Sequence, residues 1–442
     1  MVPLRPKHLT DELHCHLYGC LTPEDLWLLG RDRFEKVVPR LAWYAEEYEK
    51  AYGRRPDSRQ YWSSDAGLDL LRRDFLFTSA HPFARFQASF NLAIALLPIT
   101  PGDTTVLSHV MHAQAASGIT YGEYRLFAPP HLGPDDLRHY FAVTADRTLE
   151  LAAKFAGSFA PKIVFSIMRR HEVGLLQYQI LKEVLDAKPQ RYDAVVAIDF
   201  CGMEEHHPPQ FTAPLVRRIL ADNTACPEKG LAVLYHVGES FADKTLASAV
   251  RWVSEAQALG VHRLGHALAL GINPDLYIGH TVSETAGERR RHLQWLLASR
   301  SWLGSQGYDI VPASIESALK VIAGAPEQEL ITTTWTSAVA SDCARLQDAV
   351  MSHLRDHDAI IESCPTSNML IGNLSKDTHP LPRFMASGLS VIIGADDPGI
   401  FATSLAREEE RLMTEFGWSA EQLGASQRRA QQSRSTQLVR PF

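Results

Sequence analysis

Cysteine is scarce, with six residues in 442 and no CxxC pair among them. A disulfide-stapled fold is thereby excluded, and the scattered thiols suit a reducing compartment. Long apolar runs are missing as well. No stretch approaches the roughly 18 consecutive apolar residues of a membrane span, and the start, MVPLRPKHLTDELH, lacks the apolar core of a secretory signal. Nor is there a basic excess. Lys and Arg total 44 against 51 Asp and Glu, a net charge of -7, whereas a nucleic-acid partner usually demands a basic surface. Low-complexity linkers and short repeats are absent, and 45% hydrophobic residues place the chain far from disorder. The expectation is a soluble cytoplasmic protein with one large core or two ordinary ones, no membrane and no nucleic acid.

What the chain does carry is an alternation. Short β-rich apolar runs recur at 11–17, 119–127, 162–168, 192–200, 231–236, 262–266, 359–364 and 389–395. Several are apolar at consecutive positions, as strands buried on both faces are. Amphipathic stretches lie between them. In 134–157, Pro134 opens a helix whose Leu137, Phe141, Thr148, Ala152 and Phe155 share a face; in 242–258, Leu246, Val250 and Val253 do the same. Eight strands alternating with helices predict a (β/α)8 barrel or a doubly wound sheet. A barrel needs about 250 residues, so roughly 190 are surplus. They fall at 18–118 and 267–358, after the first and sixth strands. Loops after strands lie at a barrel's mouth, so both are expected to wall or cover a site there. The structural alternative is an ordinary oligomer contact, such as that of a homodimer.

Chemistry-bearing residues gather at the strand ends. His14 and His16 stand two apart at the end of the first run, so their imidazoles point the same way and can share a metal. Spacing alone decides little, since 19 His in this length give about one such pair by chance. Placement at a strand end is what raises it. His236-Val237-Gly238-Glu239 ends the fifth run, offering a ligand and an acid–base group across a tight glycine turn. His266 ends the sixth. Asp396-Asp397-Pro398 follows the eighth, and two adjacent carboxylates after VIIGA are costly unless a cation or a hydrogen-bonding ligand uses them. Three His and one Asp would make a catalytic zinc set that leaves a position for water. Singly, each is more ordinarily a hydrogen-bonded His or a loop acid. Together, at the ends of separate strands, they are hard to call accidental.

The motifs HxHLxG (His14 to Gly19), HxGE (His236 to Glu239), RLGH (Arg263 to His266), CPxSN (Cys364 to Asn368) and DDP (Asp396 to Pro398), in this order, resemble the adenosine deaminase family of the amidohydrolase superfamily. DFCGMEE (199–205), YGEYRLF (121–127) and the tail from ATSLAREEERLMTEFGW through SQRRAQQSRSTQLV extend the likeness from about residue 10 to 435, interrupted by the insertions. The resemblance implies a single metal-dependent hydrolase domain over 1–442, a (β/α)8 TIM barrel with helical insertions at about 18–118 and 267–358. It implies one Zn²⁺ per chain on His14, His16, His236 and Asp396, which lowers the pKa of its water to near 7. His266 would share that water's proton. Glu239, kept protonated by burial, would give a proton to a purine ring nitrogen. Asp397 and the Gly202 N–H would hold the ring's other nitrogens. The implied reaction is hydrolytic deamination of a 6-aminopurine nucleoside, adenosine to inosine and ammonia.

One position departs from the family pattern. Where the adenosine deaminases usually carry an Asp for the ribose 5′-hydroxyl, this chain has Tyr18, an uncharged and bulkier acceptor. Adenine, or an N6- or 5′-modified nucleoside or nucleotide, is therefore the alternative substrate. Phe83, Phe86 and Phe90 could wall the purine or simply pack their own helix. His206-His207, after Glu204-Glu205, reads more readily as an exposed loop than as a second metal site. Arg169-Arg170-His171 could hold a phosphate, although Arg pairs usually face solvent. Cys15 and Cys201 read as small strand fillers. Two further readings compete with the deaminase. A different amidohydrolase, opening a cyclic amide or cleaving an ester, would not use Glu239, His266 and Asp397 together. An inactive deaminase-like binding protein would be expected to have lost a ligand or Glu239, and neither is lost. The HxE…PCxxC signature of deaminases that act on polynucleotide bases is absent.

Overall fold

VVAIDF and AVLYHV are rich in β-branched and aromatic residues, and every residue of both segments is buried. That is the pattern of strands covered on both faces. The computed structural model describes residues 8–79, 83–97, 100, 102–127 and 132–440. Its strands are β1 (Asp11–His16), β2 (Tyr121–Phe127), β3 (Ala160–Ser166), β4 (Val195–Phe200), β5 (Ala232–Val237), β6 (Arg263–His266), β7 (Thr281–Thr285), β8 (Leu330–Thr334), β9 (Ile360–Ser363) and β10 (Ser390–Ile393). Eight of them form one sheet in the order β1-β2-β3-β4-β5-β6-β9-β10, each parallel to its neighbour. The ring is completed where Asp396, just past β10, bridges to Cys15, with backbone bonds of 2.8 Å on both sides of the bridge. The fold is the expected (β/α)8 barrel and not a doubly wound sheet.

The two insertions differ. Between β1 and β2 lie the helices Pro23–Val37, Leu41–Tyr52, Arg59–Ser63, Ala66–Phe75, Phe83–Ala95 and Thr105–Ala116. Between β6 and β9, the helices Ala286–Ser305, Pro312–Val321 and Ser337–Asp356 are accompanied by an antiparallel pair, β7 with β8. The pair was not among the strands read from the sequence. This second segment is tied to the helix Leu246–Ala258. Trp252 Nε1 donates to Glu288 at 2.7 Å, and Ser248 Oγ to Glu284 at 2.6 Å. That helix starts at Leu246, later than the sequence pattern suggests, because Thr245 is extended and its hydroxyl caps the Ser248 N–H. Among the described residues no helix is long and apolar enough to cross a membrane.

The barrel interior is charged. Arg125 on β2 pairs with Glu362 on β9 and lies 3.3 Å from Asp199 on β4; Arg263 on β6 reaches Glu362 at 2.7 Å and Glu123 at 2.6 Å. β2 is a neighbour of none of β4, β6 and β9 in the sheet, so the bonds of Arg125 and that between Arg263 and Glu123 cross the inside of the ring. All five side chains are buried. Such a lattice is no clear source of stability, because desolvation offsets most of the attraction, but removing one partner strands the others. Its use is positional, as the site above it shows.

Candidate metal centre and active site

β1 is irregular where the site begins. Its pairing with β2 shifts register between Glu12 and Cys15, and the Glu12 carboxylate accepts the His14 N–H at 3.0 Å in place of a ladder partner. Bulges re-aim side chains in this way. Burial pushes Glu12 up to about 8. His14 and His16 meet His236, from the end of β5, with ring centroids 4.8 to 5.8 Å apart. Asp396 brings Oδ1 to 3.6 Å from His14 Nε2 and 3.4 Å from His16 Nε2.

Each inner imidazole is oriented from behind. His14 Nδ1 bonds Glu362 at 2.6 Å and His236 Nδ1 bonds Asp199 at 3.1 Å, leaving each Nε2 as the free lone pair. Both Nε2 atoms are buried and have no hydrogen-bond partner. An imidazole held by a carboxylate with its other nitrogen unpartnered is the usual arrangement of a metal ligand. Burial holds His16 and His236 well below the ordinary His range, in the neutral form that binds metal. Burial pushes Asp396 the other way, but the surrounding imidazoles outweigh it and hold its carboxyl well below the usual carboxylate range. Ser367 Oγ donates to its second oxygen at 2.5 Å. Three imidazoles and one carboxylate fit Zn²⁺ better than a hard cation.

The acid–base groups face this cluster. His266 Nδ1 bonds Asn368 at 2.9 Å, and its Nε2 lies 3.5 Å from Glu239 Oε1. Burial raises Glu239 to about 7, against the neighbouring His266. Burial lowers His266, but Glu239 and Asp396 more than compensate and its value ends above the ordinary one. Asp397 is pushed well up by burial and by the charge of Asp396; its Oδ1 is buried without a partner. Gly19 is required beside it, since a Cβ there would come within 1.7 Å of that oxygen. His266 and Asp396 both have left-handed backbone, with φ of 62° and 60°. Strain of this kind costs about 1–3 kcal/mol per residue and clusters at functional sites.

A cavity of about 260 Å³ opens over these groups. It is lined by His16, Tyr18, Arg125, Cys201, Gly202, His236, Glu239, His266, Asp396 and Asp397, with Phe83, Phe86, Gln87, Phe90, Ile94 and Phe127 as its outer wall. The first insertion thus supplies most of the wall through the helix Phe83–Ala95, and no residue of 267–358 is among those lining the cavity. Phe86 stacks on Phe401 at 5.4 Å and 3°, so its ring is fixed from behind. The Tyr18 hydroxyl is 3.3 Å from that of Tyr140, which bonds the Phe127 carbonyl at 3.4 Å.

All the singled-out residues His14, His16, Tyr18, Phe83, Phe86, Gly202, His236, Glu239, His266, Asp396 and Asp397 therefore meet at one place. Arg169 is buried elsewhere, donating to the His236 carbonyl at 2.7 Å and lying over the Tyr235 ring. His206 is exposed in its loop. Cys201 lines the cavity and is more than a strand filler. Missed by sequence reasoning were Glu362, Asp199, Asn368 and Arg125, the residues that aim the imidazoles and acids. Glu362 and Asp199 left a signal, a single acid inside an otherwise apolar strand (AIIESC, VVAIDF), where burial demands a partner.

Residues 338–437 match the family model "Adenosine deaminase". Adenosine deaminase of Plasmodium gallinaceum is 38% identical over 69 residues, 15% of this chain and 19% of that relative. The chain therefore spans about a fifth of the length of the curated relative it matches. Among solved structures, adenine deaminase from Arthrobacter aurescens superimposes with a TM-score of 0.57 and 16% identity, covering 98% of this chain and 97% of that one. An amidohydrolase from Burkhoderia ambifaria, with bound Zn, gives 0.55 and 14%, covering 96% and 85%. At such identities the structures speak for the barrel alone. In the sequence of residues 338–437, in the order of its strand-end motifs and in its fold, the chain resembles the adenosine deaminase family.

Proposed function

We propose that the chain is a zinc-dependent aminohydrolase of 6-aminopurines, with adenosine or a close derivative as substrate and both insertions belonging to the one barrel domain. The observation that carries this reading is the convergence of two partnerless buried Nε2 atoms, from His14 and His236, with His16 and Asp396, beside a Glu239 carboxyl raised to about 7. His14, His16, His236 and Asp396 would hold one Zn²⁺, which when bound makes water a nucleophile near neutral pH. His266 takes the proton of the attacking water, its Nε2 being the free acceptor while Nδ1 is committed to Asn368. Glu239 delivers a proton to the ring nitrogen next to the carbon under attack, so that negative charge does not build on the purine. Asp397, whose carboxyl is pushed well up and whose Oδ1 is buried without a partner, would donate to a second ring nitrogen, and the Gly202 N–H, at the cavity lining, would serve a third. Collapse of the tetrahedral carbon breaks its bond to the 6-amino group, which leaves as ammonia with the proton that His266 took, while the hydroxyl proton returns to the Glu239 carboxylate.

The adenosine and adenine deaminases among the similar proteins and the zinc in a similar barrel support this reading. Adenine or a modified nucleoside is the second candidate, favoured by Tyr18, whose hydroxyl is engaged by Tyr140 rather than free as a charged acceptor. Release of ammonia from adenine, adenosine, 5′-deoxyadenosine and AMP, or of methylamine from N6-methyladenosine, tests the proposal. Turnover of at least one is expected, and none from any of them contradicts it.

A further inference from the structure

The turn that carries Glu239 is held by a residue outside the machinery described so far. Glu204, in the loop after β4, is buried, and its carboxylate accepts three successive backbone N–H groups: Gly238 at 2.8 Å on one oxygen, Glu239 at 3.1 Å and Ser240 at 3.2 Å on the other. Three consecutive amides converging on one anion form a nest, here occupied by a side chain of the same molecule. The other side of the turn is fixed too, because the Gly238 carbonyl accepts the Ala269 N–H at 2.9 Å. Gly238 has φ of 69°, and a Cβ on it would meet Val253 at 2.8 Å. The turn thus has one shape, and Glu204 supplies the bonds on its β4 side. The side chain of its neighbour Glu205 accepts from the Ser240 hydroxyl and takes none of these three amides.

We infer that Glu204 is a positioning residue, an internal anion that clamps the 238–240 turn so that the Glu239 carboxyl is presented to the substrate ring. The inference rests on the proposed deaminase reading for its catalytic consequence, but the clamp itself does not. Only a carboxylate can accept on both oxygens. In Glu204→Gln the amide NH₂ would confront backbone N–H groups, leaving one arm of the clamp unbonded. Misplacement of a reacting group by about 1 Å can cost a hundredfold in rate.

The experiment compares the full-length Glu204→Gln and Glu205→Gln proteins with the parent, each with zinc content measured. Glu204→Gln is expected to lose about a hundredfold in kcat, with KM within about threefold and zinc unchanged, since Glu204 itself is neither one of the proposed ligands nor a cavity-lining residue. Glu205→Gln is expected to keep kcat within about threefold. Amide hydrogen exchange of residues 238–240 is read in the same samples, and it should quicken at least tenfold in Glu204→Gln alone. A Glu204→Gln protein with parental kcat, or with unchanged exchange, overturns the inference. Should the variant not fold, the parent decides, because unprotected 238–240 amides there would equally overturn it. Should the parent turn over no 6-aminopurine, the deaminase reading fails while the exchange data still decide the clamp.

Discussion

Burial raises the Glu239 carboxyl to about 7, and its work in the proposed reaction needs the proton. The sign follows directly. The acid form predominates below pH 6 and is lost as pH rises through about 7, so kcat/KM should fall on the alkaline side with an apparent pKa near 7. A profile flat from pH 6 to 9 would remove Glu239 as the proton donor. Glu239→Gln should keep its fold and metal and lose at least about a hundredfold in turnover, since a positioned acid typically contributes 10² to 10⁴. Tyr18 makes a different prediction. Its hydroxyl faces Tyr140 at 3.3 Å, so no buried charge waits for a 5′-hydroxyl, and adenosine and 5′-deoxyadenosine should differ by less than about a thousandfold in kcat/KM, where a site built around that hydroxyl can reach 10⁴ or more. A larger loss for the deoxy compound would show that the hydroxyl is read.

The strands carry the site and the insertions shape it unequally. The eight barrel strands and their end residues were legible because continuous apolar runs and strand-end His and Asp are local signals. The lattice beneath was not, since pairing Arg125 with Glu362 depends on which strands face each other across a ring, and sequence spacing does not encode that. The β7–β8 pair escaped for a local reason. TVSET and LITTT are short and Thr-rich, and Leu330 is 67% exposed, so no buried face marks them. Glu362→Gln should test the lattice: second-sphere changes typically lower metal affinity 10- to 100-fold, and zinc release to a chelator should quicken accordingly. The insertions give a contrast. Phe86→Ala removes a ring that lines the cavity and should raise KM about tenfold, in keeping with 1–3 kcal/mol for lost apolar contact in a pocket. Leu330→Lys, in a segment that contributes nothing to the cavity lining, should leave kcat/KM within about twofold. Equal effects of the two would mean that 267–358 reaches the substrate.

Taken whole, the molecule concentrates unfavourable features at one end of its barrel. Left-handed His266 and Asp396, partnerless imidazole nitrogens and the buried carboxyl of Asp397 beside that of Asp396 all raise the energy of the metal-free fold. A bound ion would satisfy several of them at once, so stripping it should lower the unfolding temperature by several degrees, with recovery on adding zinc. The most direct measurement titrates zinc into chelator-stripped protein while recording ammonia released from the best 6-aminopurine. Activity should be negligible at zero zinc, rise in proportion to bound metal and level off at one ion per chain. Full activity without zinc, or no ammonia at one bound zinc, would contradict the account.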